Sequence, residues 1–332
     1  MPCRILLPMP SLRPAQLLRL RRALLAWYDG HRRDLPWRKD ADPYRVWVSE
    51  IMLQQTRVAA VLEHYARFIK RFPTVASLAK AREQSVLAAW SGLGYYHRAR
   101  RMHRAAKQIV RERLGQFPSR ADEWLQLPGI GKYTAAAIAS IAFGEPVAVV
   151  DGNVERVLAR LEGSLLNNGS AWKRAQALLD PTRPGDFNQA MMELGATICT
   201  PKSPKCLLCP LRALCEIQGE QPFQAKAMRR RKQLRYALVE RNGSVLLVQR
   251  PPDARLMAGM WELPHIDQAA QDGKMPIAHL RHSITQTDYE VLVFRMPQLS
   301  VANGRWFTPR QWHRAALTGL CRKILSRVSF RA

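Results

Sequence analysis

Acidic residues are scarce in this chain. Its 332 residues hold 26 Asp and Glu against 52 Lys and Arg, a formal net charge of +26. A surplus of that size repels itself, and a polyanion is the partner that offsets it. Long apolar runs are missing as well. Nowhere do about 18 apolar residues follow one another, which excludes a spanning helix. The basic residues are spread along the chain rather than gathered on one amphipathic helix, so an anionic membrane face is the weaker alternative to nucleic acid. The apolar run Ile5–Leu7 is too short for a signal-peptide core and is broken up by Pro2, Pro8 and Pro10. An organelle transit peptide is poorly matched, because the arginine-rich start has little serine. Hydrophobic content of 47% with 23% charged residues is that of a globular protein and argues against disorder. The length suggests two domains, each large enough for its own core.

Charge is shared between the two halves. Residues 1–220 carry 33 basic and 19 acidic residues, and residues 221–332 carry 19 and 7. Residues 1–14 read as a basic arm. From residue 15 to 217 the texture is helical, with no alternating strand. Helices are expected over Ala15–Tyr28, Pro43–Ile51 behind an Asp42 cap, Arg57–Phe72, Tyr96–Arg113, Asp122–Leu127, Lys132–Phe143, Gly152–Leu161, Ala171–Leu179 and Asn188–Cys199. Residues 218–232 read as a basic linker. Beyond it the period becomes two. Tyr236–Glu240 and Val245–Gln249 flank Asn242-Gly243, a strong hairpin signal, with another strand at Tyr289–Phe294 and a closing helix at Trp312–Arg327. Residues 233–332 therefore form an α+β domain.

Only six cysteines are present, and four of them fall within 17 residues as C-x6-C-x2-C-x5-C: Cys199, Cys206, Cys209 and Cys215. A disulfide framework belongs to small secreted chains, which this is not. Four thiolates in one loop make a metal site, either zinc or an iron–sulfur cluster. Structural zinc commonly shows two C-x2-C pairs, and only one pair is so close here. Lys202, Lys205 and Arg212 decorate the loop with cations.

Leu127-Pro128-Gly129-Ile130-Gly131-Lys132 lies between two helical segments. Gly129 and Gly131 permit a tight turn with unshielded backbone N–H groups, and the helix starting at Lys132 points its positive end to the same place. Such a turn binds a DNA phosphate without reading sequence. An ordinary helix–helix turn has the same composition, but the net charge favours phosphate.

Two carboxylates stand out. Glu50 has Val46, Trp47 and Leu53 at helical neighbour positions. On that apolar stripe a carboxyl is poorly solvated, which favours its protonated form; a rim carboxylate paired with arginine is the alternative. Asp151 follows the apolar run Pro146–Val150 and precedes a helix, where a cap fixes its position and favours its charge. One protonated and one ionised acid are the pair needed to break a bond at a sugar anomeric carbon.

Several segments together resemble the helix-hairpin-helix DNA glycosylases with an iron–sulfur loop, in particular the adenine DNA glycosylase (MutY) family. They are Leu35–Arg38, Ser49–Thr56, Gly92–Tyr96, Leu127–Tyr133, Val150–Val154, Phe187–Ala190 and the four cysteines, in the family's order. The resemblance implies an all-α helix-hairpin-helix glycosylase domain with one [4Fe–4S] cluster on Cys199, Cys206, Cys209 and Cys215, followed by an α+β Nudix-like domain. It implies a monomer acting on double-stranded DNA that carries adenine opposite 8-oxoguanine or guanine. Its place is the bacterial nucleoid in the cytoplasm, or the nucleus or mitochondrion of a eukaryote. By the same resemblance Glu50 is the acid and base, Asp151 meets the sugar cation or forms an adduct, and Tyr133 and Asn153 support them. Arg33, Trp37, Arg38, Leu53 and Glu193 match positions that line the adenine pocket. Gln55, Thr56, Leu93 and Tyr95 match positions that contact the lesion side or wedge into the stack, and Gly129, Gly131 and Lys132 match the phosphate-binding hairpin.

Tyr133 occupies the place where glycosylases resembling endonuclease III carry a Schiff-base lysine. Lys132 is one step earlier, roughly a 100° rotation away on a helix, so little strand-cleaving activity is expected. In the second domain, Val245–Arg250 through Gly259–Pro264 resembles the Nudix-like domain of the same family. Only Asp267 and Asp272 lie between Glu262 and Asp288, too few acids to hold magnesium at a diphosphate. Recognition of 8-oxoguanine is what the resemblance then implies for this domain. The family often carries Phe-Ser-His in the contacting loop, and here Arg281-His282-Ser283 stands instead, so the contact is expected from His282 or Ser283.

Overall fold

The computed structural model describes residues 13–220, 230–254, 256–269, 273–284 and 287–328. Residues 1–12 of the expected arm and 221–229 of the expected linker lie outside the described residues. The helices are α1 (Pro14–His31), α2 (Pro43–Leu53), α3 (Val58–Arg71), α4 (Val75–Lys80), α5 (Glu83–Trp90), α6 (His97–Arg113), α7 (Ala121–Trp124), α8 (Lys132–Phe143), α9 (Gly152–Leu161), α10 (Asn168–Leu178), α11 (Pro184–Thr197), α12 (Pro309–Arg314) and α13 (Gly319–Val328). The strands are β1 (Arg230–Arg241), β2 (Ser244–Gln249), β3 (Trp261–Glu262), β4 (Ala278–Ile284), β5 (Thr287–Met296) and β6 (Gly304–Phe307). Contacts divide the chain into two units, residues 1–55 with 108–224, and residues 56–107 with 225–332.

In the first unit α8 is the central helix. Ala135–Ser140 are buried around its whole circumference, so it packs against α2, α7 and α11 at once. Small side chains make that possible: a Cβ on Gly185 of α11 would come within 2.6 Å of the Ser140 carbonyl oxygen of α8. A second core joins α1, α9, α10 and α11 through Leu20, Leu24, Tyr28, Val154, Leu158, Leu178, Phe187, Met191 and Leu194. Truncating one of these, such as Leu158 at 0% exposure, to alanine costs about 2–5 kcal/mol. The cysteine loop rests on this core through Cys199, Cys209 and Cys215.

The second unit joins helices α3–α5, the part of α6 up to Lys107 and a six-stranded sheet of order β3-β2-β1-β5-β4, with β6 on β2. The β1–β2 hairpin forms at Asn242-Gly243, both at positive φ (48° and 69°), as a type I′ turn requires. Ten residue pairs align β1 parallel to β5. One face of the sheet packs Leu238, Leu247, Val291 and Val293 against α12 and α13 through Trp312, Leu320 and Ile324.

Four expectations need correction. The helix expected over Asp122–Leu127 is a single turn, Ala121–Trp124, because Pro128 disfavours helical backbone at Leu127. The helix expected to start at Asn188 begins at Pro184, where proline suits the first helical position. Two short helices, α4 and α5, went unexpected; α4 has a reciprocal cap between Thr74 and Ser77. The closing helix is broken at Ala315–Thr318, where the Ala316 carbonyl accepts from Trp261 N–H and Thr318 N–H donates back to the Trp261 carbonyl.

Candidate functional site

Glu50 reaches its position through α2. The Asp42 carboxylate caps that helix by accepting from Arg45 N–H at 2.8 Å, and Trp47 is locked against Phe117 and Trp124. Glu50 is then 6% exposed, with Oε2 enclosed and without a partner. Burial pushes its carboxyl up to about 7, and Asp151 pushes in the same direction. The Tyr133 hydroxyl pulls it down, by less than burial raises it but by more than Asp151 adds, and Arg38 lowers it least. Tyr133 stands in the first turn of α8, 3.2 Å from Met192 Sδ, and burial together with the two carboxylates holds its proton far above the ordinary tyrosine range.

Asp151 ends the extended run before α9 and caps that helix. Its Oδ1 accepts from Asn153 N–H at 2.9 Å and Val154 N–H at 2.8 Å, and Oδ2 accepts from Asn153 Nδ2 at 3.0 Å. The cap expected from the sequence is therefore present and aims the carboxylate. Asn153 is held in turn by Arg156, whose Nη2 donates to Asn153 Oδ1 at 2.8 Å and to the Gly195 carbonyl at 2.7 Å. Arg156 Nε donates to the Cys199 carbonyl at 2.7 Å. A continuous path thus runs from the Asp151 carboxylate to the first cysteine of the loop. Gly195 is part of it: a Cβ there would lie 2.6 Å from the Asn153 Cβ.

The four cysteines line one cavity with Arg160, Ile198, Arg212 and Ile217. Short 3₁₀ turns at Cys206–Leu208 and Arg212–Leu214 bring the loop back on itself. Arg160 Nη1 donates to Cys199 Sγ at 3.2 Å and Gly219 N–H to Cys206 Sγ at 3.4 Å. Burial, then repulsion from the neighbouring sulfurs, pushes Cys209 to about 11 and raises Cys215 as well. Sulfurs so crowded take up negative charge only where a bound metal centre supplies the opposite sign. An all-sulfur donor set with N–H groups aimed at it fits an iron–sulfur cluster.

Glu193 is 1% exposed and doubly paired. Arg33 grips it with Nε at 2.5 Å and Nη2 at 2.8 Å, and Arg38 Nη2 reaches it at 2.9 Å. Three residues expected at the adenine pocket therefore form one cluster, and both Glu193 oxygens are already engaged. Trp37 is buried in the turn Pro36–Arg38, and Leu53 is the half-buried last residue of α2. The hairpin has Gly129 at φ +82°, a value that favours glycine, and Ile130 N–H bonded to the Leu127 carbonyl. Gly131 caps α8, and the exposed Lys132 places Nζ 4.0 Å from the centroid of the Trp172 ring.

Among the non-glycine residues in left-handed backbone are two exposed ones expected at the duplex: Gln55 at φ +56° and Tyr95 at φ +46°. Backbone of that kind persists where the surroundings enforce it. In the second unit, Arg98 does so for Tyr95. It is 5% exposed, donates through Nη2 to Thr56 Oγ1 and to the carbonyls of Leu93 and Gly94, and lies 5.4 Å from the Tyr95 ring centroid. Leu93 itself is buried. His282 and Ser283 belong to β4, where they pair with Tyr289 and Asp288 of β5, and the Ser283 hydroxyl donates to Asp288 Oδ1 at 2.6 Å. Sequence reasoning missed Arg98, Arg156 and Arg160. A signal existed for the last two: Asn153, Arg156 and Arg160 recur at i, i+3 and i+7 on one face of α9.

Residues 48–180 match the family model of the HhH-GPD superfamily base excision DNA repair protein, and residues 199–215 match the iron–sulfur binding domain of endonuclease III. The chain is 37% identical to the adenine DNA glycosylase of Homo sapiens, over 93% of this chain and 74% of that protein. Among solved structures it is similar to a thermostable thymine-DNA glycosylase, with a TM-score of 0.57, 31% identity, and coverage of 60% of this chain and 95% of that one. A non-covalent endonuclease III–DNA complex shares the fold, with a TM-score of 0.53 at 23% identity over 61% of this chain and 95% of that one.

Proposed function

Because the chain belongs to the adenine DNA glycosylase family of base excision repair hydrolases, we propose that it removes adenine paired with 8-oxoguanine or guanine in duplex DNA, and that Glu50 and Asp151 divide the chemistry between them. The adenine leaves the stack to be reached. Glu50, half in its acid form near neutral pH, donates its proton to an adenine ring nitrogen. The C1′–N9 bond then breaks with its electron pair leaving on the base. Positive charge builds on the sugar, and the Asp151 carboxylate meets it by its charge or by a covalent adduct. Glu50, now ionised, takes a proton from the water that adds at C1′. Tyr133 and Asn153 position the two acids. Cys199, Cys206, Cys209 and Cys215 hold a [4Fe–4S] cluster, which fixes the loop whose Lys202, Lys205 and Arg212 suit phosphate.

The observation that carries this reading is the pairing of environments: one carboxyl enclosed and raised to about 7, the other met by three N–H donors. Two features support a monofunctional enzyme. Tyr133 stands where a Schiff-base lysine would act, and the Lys132 ammonium rests over Trp172. The C-terminal domain is read as Nudix-like and used for lesion recognition, with His282 or Ser283 at the contact, in an enzyme that works as a monomer. The Glu262 carboxylate is paired with Arg250 at 2.6 Å, which suits a domain without a magnesium site. The test is base release from duplexes with adenine opposite 8-oxoguanine, guanine or thymine, with Glu50→Gln beside wild type. Release opposite 8-oxoguanine that Glu50→Gln abolishes is expected; undiminished release by Glu50→Gln sinks the mechanism.

A further inference from the structure

Helix α13 starts where the Thr318 hydroxyl accepts from Cys321 N–H at 3.2 Å, and it buries Leu320, Cys321, Ile324 and Leu325. Its next two residues reach in different directions. Arg322 Nε donates to Ser91 Oγ at 3.0 Å, and its Nη2 donates to the Ala315 carbonyl at 3.2 Å. The Ser91 hydroxyl passes the connection on to the Leu317 carbonyl at 3.0 Å, which also accepts from the Tyr96 hydroxyl at 3.1 Å. Ser91 and Tyr96 bracket the segment Gly92–Tyr95, so both ends of the loop that holds Tyr95 in left-handed backbone are tied to the break before α13. Lys323 Nζ donates to the Arg281 carbonyl at 2.9 Å, on β4 beside His282 and Ser283.

We propose that α13 couples the strand that reads the lesion to the loop that carries Tyr95, with Arg322 and Lys323 as positioning residues. The physical ground is that Ser91, Tyr96 and Leu317 form a buried polar node in which every hydroxyl is used. A shift of β4 pulls on α13 through Lys323, and a shift of α13 changes what Arg322 offers to Ser91. The lesion domain then influences extrusion of the adenine as well as choice of the opposite base. This rests on the reading of the C-terminal domain as the lesion reader.

The experiment compares wild type, Arg322→Met, Arg322→Lys, Lys323→Met and the Met/Met double variant. Two quantities are measured: single-turnover adenine release opposite 8-oxoguanine relative to guanine, and the fluorescence rise of 2-aminopurine placed opposite each base. Arg322→Met lowers the 8-oxoguanine preference by about tenfold, the loss of one charge-assisted hydrogen bond, and slows the fluorescence rise. Arg322→Lys recovers part of both. Lys323→Met acts in the same direction, and the double variant is no worse than the stronger single, as one path requires. A merely structural role lowers release from both duplexes alike, and that result overturns the proposal. So does a wild-type preference kept by folded variants. If Arg322→Met does not fold, Lys323→Met, whose side chain reaches β4 from an exposed position, decides alone. A wild type with no 8-oxoguanine preference removes the lesion-reading function itself, and the coupling falls with it.

Discussion

Replacing Glu50 by glutamine should stabilise the protein at alkaline pH while it abolishes turnover. The buried carboxyl titrates near 7 instead of 4.5. A carboxyl whose folded value is raised binds its proton more tightly in the native state, so its contribution to stability is lost as pH rises from about 4.5 through about 7. That difference corresponds to a penalty on the order of 3 kcal/mol at pH 8. Glutamine carries no such charge. Glu50→Gln is therefore expected to melt several degrees higher than wild type at pH 8 and to lose that advantage at pH 5. Activity follows the same titration with the opposite use. At pH 7 a carboxyl at 4.5 is protonated in about 0.3% of molecules, whereas one at 7 is protonated in about half, so the environment of Glu50 enriches the acid form by about two orders of magnitude. Single-turnover adenine release should fall as pH rises through about 7. The assay pairs thermal melts of both proteins at pH 5 and pH 8 with a single-turnover rate profile of wild type. A glutamine variant with no alkaline gain in melting temperature, or a rate flat from pH 6 to pH 8, refutes the assignment of a raised acid.

Arg156→Met should cut the rate of adenine release by at least about tenfold with little change in duplex affinity, because it removes the support of Asn153; equal losses in rate and binding count against it. Gly195→Ala should also lower the rate, since the added methyl meets Asn153 at 2.6 Å; a wild-type rate shows that α11 moves aside freely. Borohydride trapping on adenine-mispaired duplexes should be weak for wild type and no weaker for Lys132→Met, given the hold of Trp172 on that ammonium. Duplex affinity should drop steeply between low and physiological salt, by several powers of ten if six or more phosphates are contacted; a shallow slope denies the basic surface its role.

Local signals are legible where one short segment decides the outcome. Lys132–Phe143 and Gly152–Leu161 form as expected, because Gly131 and Asp151 mark where those helices begin. Asn242-Gly243 determines the β1–β2 hairpin for the same reason. What the sequence hides is set by partners far along the chain. The parallel pairing of β1 with β5 joins residues more than fifty positions apart, and β3 and β6 are too short to show a period. At the site, Glu50 and Asp151 stand out by their apolar and capping surroundings, but their electrostatic influence on each other appears only once α2, α8 and α9 pack. Arg156 is easily passed over despite its spacing from Asn153: in a chain with 52 basic residues, one more arginine on a helix reads as surface.

Three unfavourable features of the molecule fall on residues expected to meet DNA. Glu50 is enclosed as an acid with one oxygen unpartnered, and Gln55 and Tyr95 occupy backbone that costs about 1–3 kcal/mol each where a side chain is present. None of these contributes to folding, and two are countered by a neighbour: Tyr133 for Glu50, Arg98 for Tyr95. If the strain at Tyr95 serves only the fold of the loop, Tyr95→Gly should stabilise the protein and leave adenine release unchanged. If the strain holds the ring out for the duplex, the same substitution stabilises the protein and slows release, because the wedge is lost while the backbone relaxes. The second outcome is expected, since a ring left exposed on strained backbone, with a buried guanidinium spent on holding it there, has no folding role that glycine would not fill better.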